Sequence, residues 1–92
     1  MNPIFKANDA QTLLDNPIHK EAIKKINEYI ENKALSVDPN NEKAAQMIIV
    51  TKQLAVTYIR AIERFIEDGK VEQIRIDQLE KKTGIRKFNR GY

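Results

Sequence analysis

Residues 44–50 read AAQMIIV and open a stretch, continuing to residue 65, in which apolar side chains recur every three or four positions. That spacing is the period of an α-helix, and here it traces two stripes. The first stripe consists of Ala44, Ile48, Thr51, Ala55, Tyr58, Ile62 and Phe65. The second consists of Met47, Val50, Leu54 and Ala61. A helix that faces water on one side needs a single stripe, so two stripes predict burial on two sides.

The residues around this stretch predict the limits of a long helix. Asp38 suits the N-cap position and Pro39 the first helical position, with Glu42 near the positive end of the helix dipole. Gly69 suits the residue after the last helical position, so the helix is predicted to end at about Asp68. About 30 residues at 1.5 Å each give a length of roughly 45 Å.

A second helix is predicted upstream, where Asn16 and Pro17 repeat the start signal. Its apolar positions predict a helix from Pro17 to about Ala34: Ile18, Ala22, Ile23, Ile26, Tyr29 and Ile30. Before it, Asn8 predicts a short helix from Asp9 to Leu14, and residues 2–5 (NPIF) are expected to be extended.

The C-terminal quarter has a less regular pattern. VEQIRI, residues 71–76, fits a short strand or a continued helix, and this choice stays open. Asp77 and Glu80 form a capping box that predicts a short helix from Gln78 to Thr83, followed by an extended tail. We therefore predict an all-α fold in one domain, 1–92: a short N-terminal helix, an antiparallel helical hairpin core over 17–68 with one long helix, a short C-terminal helix and a basic tail over 84–92.

Composition narrows the class of protein. The 92 residues are 41% hydrophobic and 32% charged, and they include no Cys, which excludes disulfides and thiolate chemistry. No apolar run has the length of a signal peptide or of a membrane span, so we expect a soluble chain without membrane contact. Residues 1–69 carry nine Lys or Arg against ten Asp or Glu, whereas residues 70–92 carry seven against three. The basic excess therefore lies in the C-terminal quarter and indicates an anionic partner there.

Catalytic patterns are weak in this sequence. His19 is the one histidine, and without Cys it predicts neither a metal site nor a general base with a nucleophile, but a surface residue in a first helical turn. Carboxylates alternate with Lys and Arg, which is typical of a solvated helix face. Three scattered glycines cannot form a phosphate-binding loop. We predict a non-enzymatic protein that needs no cofactor or metal.

The surplus apolar stripe predicts a binding surface. The Pro17 helix can cover only one stripe of the long helix, so the other predicts a homo-oligomer or a bound partner protein. The alternative is that the N-terminal helix and the C-terminal segment fold back over it. The predicted oligomer or partner interface consists of Met47, Ile48, Val50, Leu54, Tyr58 and Ile62.

The tail offers a second candidate surface in which basic and aromatic residues alternate. It consists of Arg86, Lys87, Phe88, Arg90 and Tyr92. Such residues suit phosphate contacts combined with base stacking, and they equally suit docking into a groove of another protein. A frayed end without function is the third interpretation, and all three stay open.

The order of motifs resembles a family of short helical tailed-phage proteins over about residues 10–70. The residues that carry the resemblance are Leu13, Leu14, Asn16, Pro17, Ala22, Gly69 and Lys70. The resemblance implies a protein-binding accessory of virion structure, head–tail connection or DNA packaging, located in the host cytoplasm or the virion, with another phage protein or a host protein as partner. It implies no functional residue.

A second resemblance concerns residues 37–44, VDPNNEKA. They are similar to the proline-containing break before the long helix of phage sponges that sequester immune cyclic nucleotides, the anti-CBASS type. That resemblance implies counter-defence, by oligomeric helical hairpins that bind a cyclic nucleotide between protomers. The hypotheses are thus a virion accessory, a cyclic-nucleotide sponge and, from the tail, a small DNA- or RNA-binding protein.

Overall fold

The computed structural model describes residues 2–83. They form three helices, α1 (Pro3–Asp15), α2 (Pro17–Ser36) and α3 (Glu42–Thr83), and this part of the chain contains no strand. The predicted all-α class is therefore confirmed. The predicted extended tail, 84–92, lies outside the described residues.

Helix α1 begins six residues earlier than predicted. Asn2 is its N-cap, because the Asn2 side-chain oxygen accepts a hydrogen bond from the Ile4 backbone N–H at 2.8 Å, and Pro3 takes the first helical position. The extended conformation predicted for residues 2–5 and the start at Asp9 are thus wrong. Asn2-Pro3 is the same start signal as Asn16-Pro17, and it acts one helix earlier.

Asn16 separates α1 from α2 and caps both. Its backbone is extended, with φ −64° and ψ 123°, and its side-chain oxygen accepts hydrogen bonds from the backbone N–H groups of Ile18 (2.9 Å) and His19 (3.1 Å). Two otherwise unpaired donors of the first turn of α2 are thereby satisfied. The far end of α2, Ser36, lies two residues beyond the prediction, which is ordinary boundary variation.

We expect Asn16→Ala to lower the free energy of unfolding by about 1 kcal/mol, because it removes the acceptor for both N–H groups. Asn16→Asp is the matched control, since aspartate keeps the acceptor oxygen. Urea unfolding followed by circular dichroism measures both variants. Equal stability of Asn16→Ala and the unchanged protein would contradict this role of Asn16.

The connection from α2 to α3 differs from its prediction. The side chain of Asp38 accepts a hydrogen bond from Asn40 N–H and its backbone oxygen accepts one from Asn41 N–H, each at 2.9 Å, so Asp38 closes a turn. Asn41 is the residue that caps α3, by accepting from the Ala44 N–H at 3.1 Å. The predicted N-cap at Asp38 and helix start at Pro39 are wrong, because an Asp side chain stabilises a turn as readily as a helix end.

Helix α3 continues through Gly69 to Thr83, a span of 42 residues or roughly 63 Å. The predicted end at Asp68 and the separate helix from Gln78 are wrong, and the open choice for residues 71–76 is decided in favour of helix. Glycine in a helix interior costs about 1 kcal/mol relative to alanine. A packing contact explains why glycine occupies this position in α3: Gly69 is buried against Ala7 and the backbone of Pro3 in α1.

Helices α1 and α2 lie one after the other along α3, and both run antiparallel to it. Near the N-terminus of the chain, α1 meets residues 62–69 of α3. Further along, Asn27 of α2 meets Lys52, whose ammonium donates a hydrogen bond to the Asn27 side chain at 3.0 Å. The contact between α1 and α3 is much the more extensive of the two. Small residues, Ala7, Ala10 and Gly69, allow that close approach.

The described residues bury little. The buried apolar side chains are Ala10, Ile30 and Ile62, which are 5–7% exposed, and no large side chain is fully buried. The chain is elongated, with principal extents of 69 × 25 × 18 Å. A single layer of helices leaves one flank of each helix without protein cover, so apolar residues on those flanks stay in contact with solvent.

Candidate interaction surface

An exposed apolar row runs along α3. Met47, Val50 and Leu54 are 66%, 60% and 68% exposed. The row continues with Tyr58 and Phe65, each just under half exposed, and with the exposed Ala61. At about 100° of rotation per residue, all six lie within a sector of about 80° on the helix surface. This row contains four of the six residues predicted for an interface.

The other two predicted interface residues lie on the inner side of α3. Ile62 is only 7% exposed and packs beneath α1, and Ile48 is half-buried beside Ile30 of α2. They therefore contribute to the contact within the chain, and their assignment to an external surface is corrected. The predicted first stripe mixed these inner residues with Tyr58 and Phe65, because the two sectors are neighbours on the helix.

Apolar residues of α1 and α2 meet the row on the same side of the molecule. Tyr29 and Met47 line one groove, Ile26 lines a second with Leu54 and Tyr58, and Leu13 lines a third with Phe65. The second groove is the largest, with a volume of about 590 Å³. We call the following set the apolar side: Leu13, Ile26, Tyr29, Met47, Val50, Leu54, Tyr58, Ala61 and Phe65. A contiguous exposed apolar surface is typical of an interaction site.

His19 and Tyr58 join α2 to α3 at the edge of this surface. The His19 Nε2 atom and the Tyr58 hydroxyl are hydrogen-bonded at 2.9 Å, and the two ring centroids are 5.8 Å apart. The prediction placed His19 in a first helical turn, as observed, but missed this partner 39 residues away. Only the antiparallel register of the two helices brings the rings together. The pair holds Tyr58 in place on the apolar side and adds no recognisable nucleophile–base set.

Charged residues concentrate beyond the row, towards the end of α3. Glu72 and Arg75 form a bidentate ion pair, with 3.0 Å between Nε and Oε2. The hydrogen bond from Arg75 lowers the pKa of Glu72, and the same bond raises the pKa of Arg75. Arg75 also lines an open groove with Lys81 and Lys82. Three basic side chains therefore line this groove, and one of them, Arg75, is paired with Glu72.

The remaining sequence predictions concern the tail, metal binding and membrane contact. The tail residues Arg86, Lys87, Phe88, Arg90 and Tyr92 lie outside the described residues, and their binding role stays a prediction. Within residues 2–83, no group of three or more His, Cys, Asp or Glu side chains is placed to hold a metal ion. None of α1, α2 and α3 combines the length and apolar character of a membrane-spanning helix.

The chain matches no protein-family model, no curated protein and no solved structure. The resemblances to tailed-phage proteins and to cyclic-nucleotide sponges therefore stay expectations from short motifs. The functional argument depends on the surface itself, which is apolar, exposed and continuous across three helices.

Proposed function

We propose that this chain is a non-enzymatic protein-binding component that works as a homo-oligomer, with the apolar side as its assembly surface and with α1–α2 and α3 as the two arms of a helical hairpin. The observation that supports the proposal is that few apolar side chains are buried while a whole row of them is exposed. Three apolar side chains are buried in the described part, while Met47, Val50 and Leu54 are each about two-thirds exposed in one row.

The energetics favour association. Full burial of a Leu, Val or Met side chain contributes about 1.5–3 kcal/mol, so covering three such side chains that are two-thirds exposed contributes roughly 3–6 kcal/mol per protomer. The core of the described part is small, so contacts with another chain would add apolar burial that the single chain lacks. Helices in a single layer gain a second layer when another chain covers them.

The direct test is the molar mass in solution. Sedimentation equilibrium on the full chain at micromolar concentration should give a multiple of the 10.7 kDa monomer mass. An unchanged monomer mass up to high micromolar concentration would overturn the proposed homo-oligomer. Exposed charges can also cause non-specific association, so a repeat at raised ionic strength serves as the control.

The biological setting that we propose follows from the tailed-phage resemblance: an accessory of virion structure, head–tail connection or DNA packaging, in the host cytoplasm or the virion. Mass spectrometry of purified particles from a phage encoding the chain should detect it at a fixed copy number per particle. Absence from particles, together with an oligomeric mass in solution, would reject the virion role and leave the binding role standing.

A second candidate function is the binding of an anionic ligand, either a nucleic acid or an immune cyclic nucleotide. The groove that Lys81 and Lys82 line beside the Arg75–Glu72 ion pair supports it, because clustered cations favour phosphates. A thermal-shift screen distinguishes the two: a gain with one cyclic nucleotide and none with linear nucleotides indicates a sponge. Salt-sensitive binding of any DNA indicates backbone contacts, and no response to either rejects this candidate.

A further inference from the structure

The apolar side has the geometry of one half of a four-helix bundle. On α3, the exposed row is centred roughly 85° around the helix from the inner residues Ile48, Ile62 and Gly69, at about 100° per residue. On α2, Ile26 and Tyr29 lie similarly to one side of the buried Ile30. The grooves shared by the two helices show that both exposed rows point the same way. In a four-helix bundle, each helix packs against two neighbouring helices that lie about a right angle apart around its axis.

The row on α3 is complementary to itself when reversed. Within its sector, Lys43 precedes the apolar residues of the row and Asp68 follows them, so the row lies between opposite charges. Reversal about a point near residue 56 brings Met47 opposite a second Phe65, Leu54 opposite a second Tyr58 and Lys43 opposite a second Asp68. A twofold interface requires this property, since the same patch must fit itself.

The charges at the two ends also favour this antiparallel order. Lys43 and Asp68 are exposed, and neither forms an ion pair with another residue of the described part of the chain. A parallel pair of α3 helices would place Lys43 beside Lys43 and Asp68 beside Asp68, which is repulsive. The antiparallel pair replaces both repulsions with attractions and sets the two helix dipoles in opposite directions.

The exposed area is sufficient for such a dimer. The chain has 7810 Å² of accessible surface, against about 5,500 Å² for a compact folded monomer of its mass. That excess, roughly 2,300 Å², is larger than the roughly 1,000 Å² per chain that a permanent homodimer buries at the least.

We infer that the occupant of the apolar side is a second copy of this chain, packed as a twofold antiparallel α3–α3 pair centred near residue 56, with Lys43 of each copy facing the partner's Asp68. The inference rests on the proposed homo-oligomeric function and adds to it a partner surface, a direction and a register.

Site-specific cross-linking tests the register. Because the chain has no native cysteine, each introduced cysteine is the single thiol of its chain. Met47→Cys and Phe65→Cys chains are unfolded together, refolded and treated with a short bismaleimide. The mixture should give a covalent dimer that contains one chain of each kind. Met47→Cys alone should give almost none, because its two thiols would lie roughly 27 Å apart along the helix axis. A dimer from Met47→Cys alone would overturn the antiparallel register.

Charge exchange is an independent test that leaves the apolar row intact. Lys43→Glu and Asp68→Lys should each weaken self-association roughly 2- to 30-fold, because two exposed ion pairs become repulsions. An equimolar mixture of the two variants should recover association, since in the mixed dimer one facing pair has exchanged signs and the other is the original Lys43–Asp68 pair, so both are attractive. If the mixture does not recover association, the proposal that Lys43 faces the partner's Asp68 is wrong.

The outcomes separate this inference from the function on which it rests. A monomeric mass for the unchanged chain, with no cross-link in any mixture, would reject both. An oligomeric mass with the wrong cross-link pattern would reject the register alone. An oligomeric mass with no cross-link between chains would show that another surface mediates assembly, and it would equally reject the α3–α3 pair.

Discussion

Leu54→Asp is expected to convert the oligomer into monomers. Leu54 is 68% exposed at the centre of the apolar side, beside the groove that it lines with Ile26 and Tyr58, so an oligomer formed there covers it completely. A carboxylate buried at that position without a partner costs several kcal/mol. We expect the dissociation constant to rise at least about 100-fold, equivalent to roughly 3 kcal/mol. Light scattering coupled to size-exclusion chromatography measures the change in mass directly.

Ile49→Asp is the matched control for that experiment. Ile49 is on the same helix and 57% exposed, but it lies about 140° around α3 from Leu54, away from the apolar side. This variant should keep the oligomeric mass of the unchanged chain. Dissociation by both substitutions would indicate general destabilisation of α3, and an intact Leu54→Asp oligomer would place the assembly surface elsewhere.

Gly69→Ala is expected to destabilise the monomer fold, although the same change in an exposed helix would stabilise it by about 1 kcal/mol. An added Cβ at Gly69 would collide with the Cβ of Ala7 and lie 3.1 Å from the Pro3 backbone oxygen. Neither atom can move by rotating a side chain, so α1 must shift away from α3. Overpacking costs about 3 kcal/mol at the upper end of its usual range, which we expect here. The gain of about 1 kcal/mol in helix propensity offsets part of it, so the free energy of unfolding should fall by about 2 kcal/mol.

A compensating substitution distinguishes close packing from a helix-end role. Ala7→Gly removes the atom that the new Cβ would meet, so the Ala7→Gly/Gly69→Ala double variant should recover part of the lost stability. Urea unfolding of the single and double variants yields the coupling free energy, for which we expect about 1 kcal/mol. If Gly69 mattered only as a helix terminus, the double variant would be less stable than either single variant.

Helix boundaries show where sequence reasoning succeeded and where it failed. Asn16 and Pro17 were identified as the start of α2, since the cap and the proline act within one turn of the chain. The same signal at Asn2-Pro3 starts α1, where the pattern predicts Asn8, and Asn41 caps α3, where the pattern predicts Asp38. In each failure two cap residues competed within a few positions, and local preference alone does not rank them.

The sequence predicts only part of the candidate surface, because helical spacing does not separate apolar residues that face α1 from those that face solvent. The spacing of Met47, Val50 and Leu54 identified a surplus row on α3, and these residues are exposed. Ile62 could not be separated from them by spacing, because its position on the helix is as apolar as theirs. Its burial depends on α1, which the sequence pattern did not place against that part of α3.

The sequence by itself determined the helical fold class, the break at Asn16 and the excess of apolar surface on the long helix. Each of these depends on helical period or on capping within a single turn, both of which act between near neighbours in the chain. Only the tertiary structure decided that α3 passes through Gly69, that His19 meets Tyr58 and which row of α3 stays open. Those features depend on contacts between distant residues, such as His19 with Tyr58, 39 positions apart, and Gly69 with Ala7 and Pro3, 62 and 66 positions apart. The energy of such contacts exists only once α1 and α2 lie against α3.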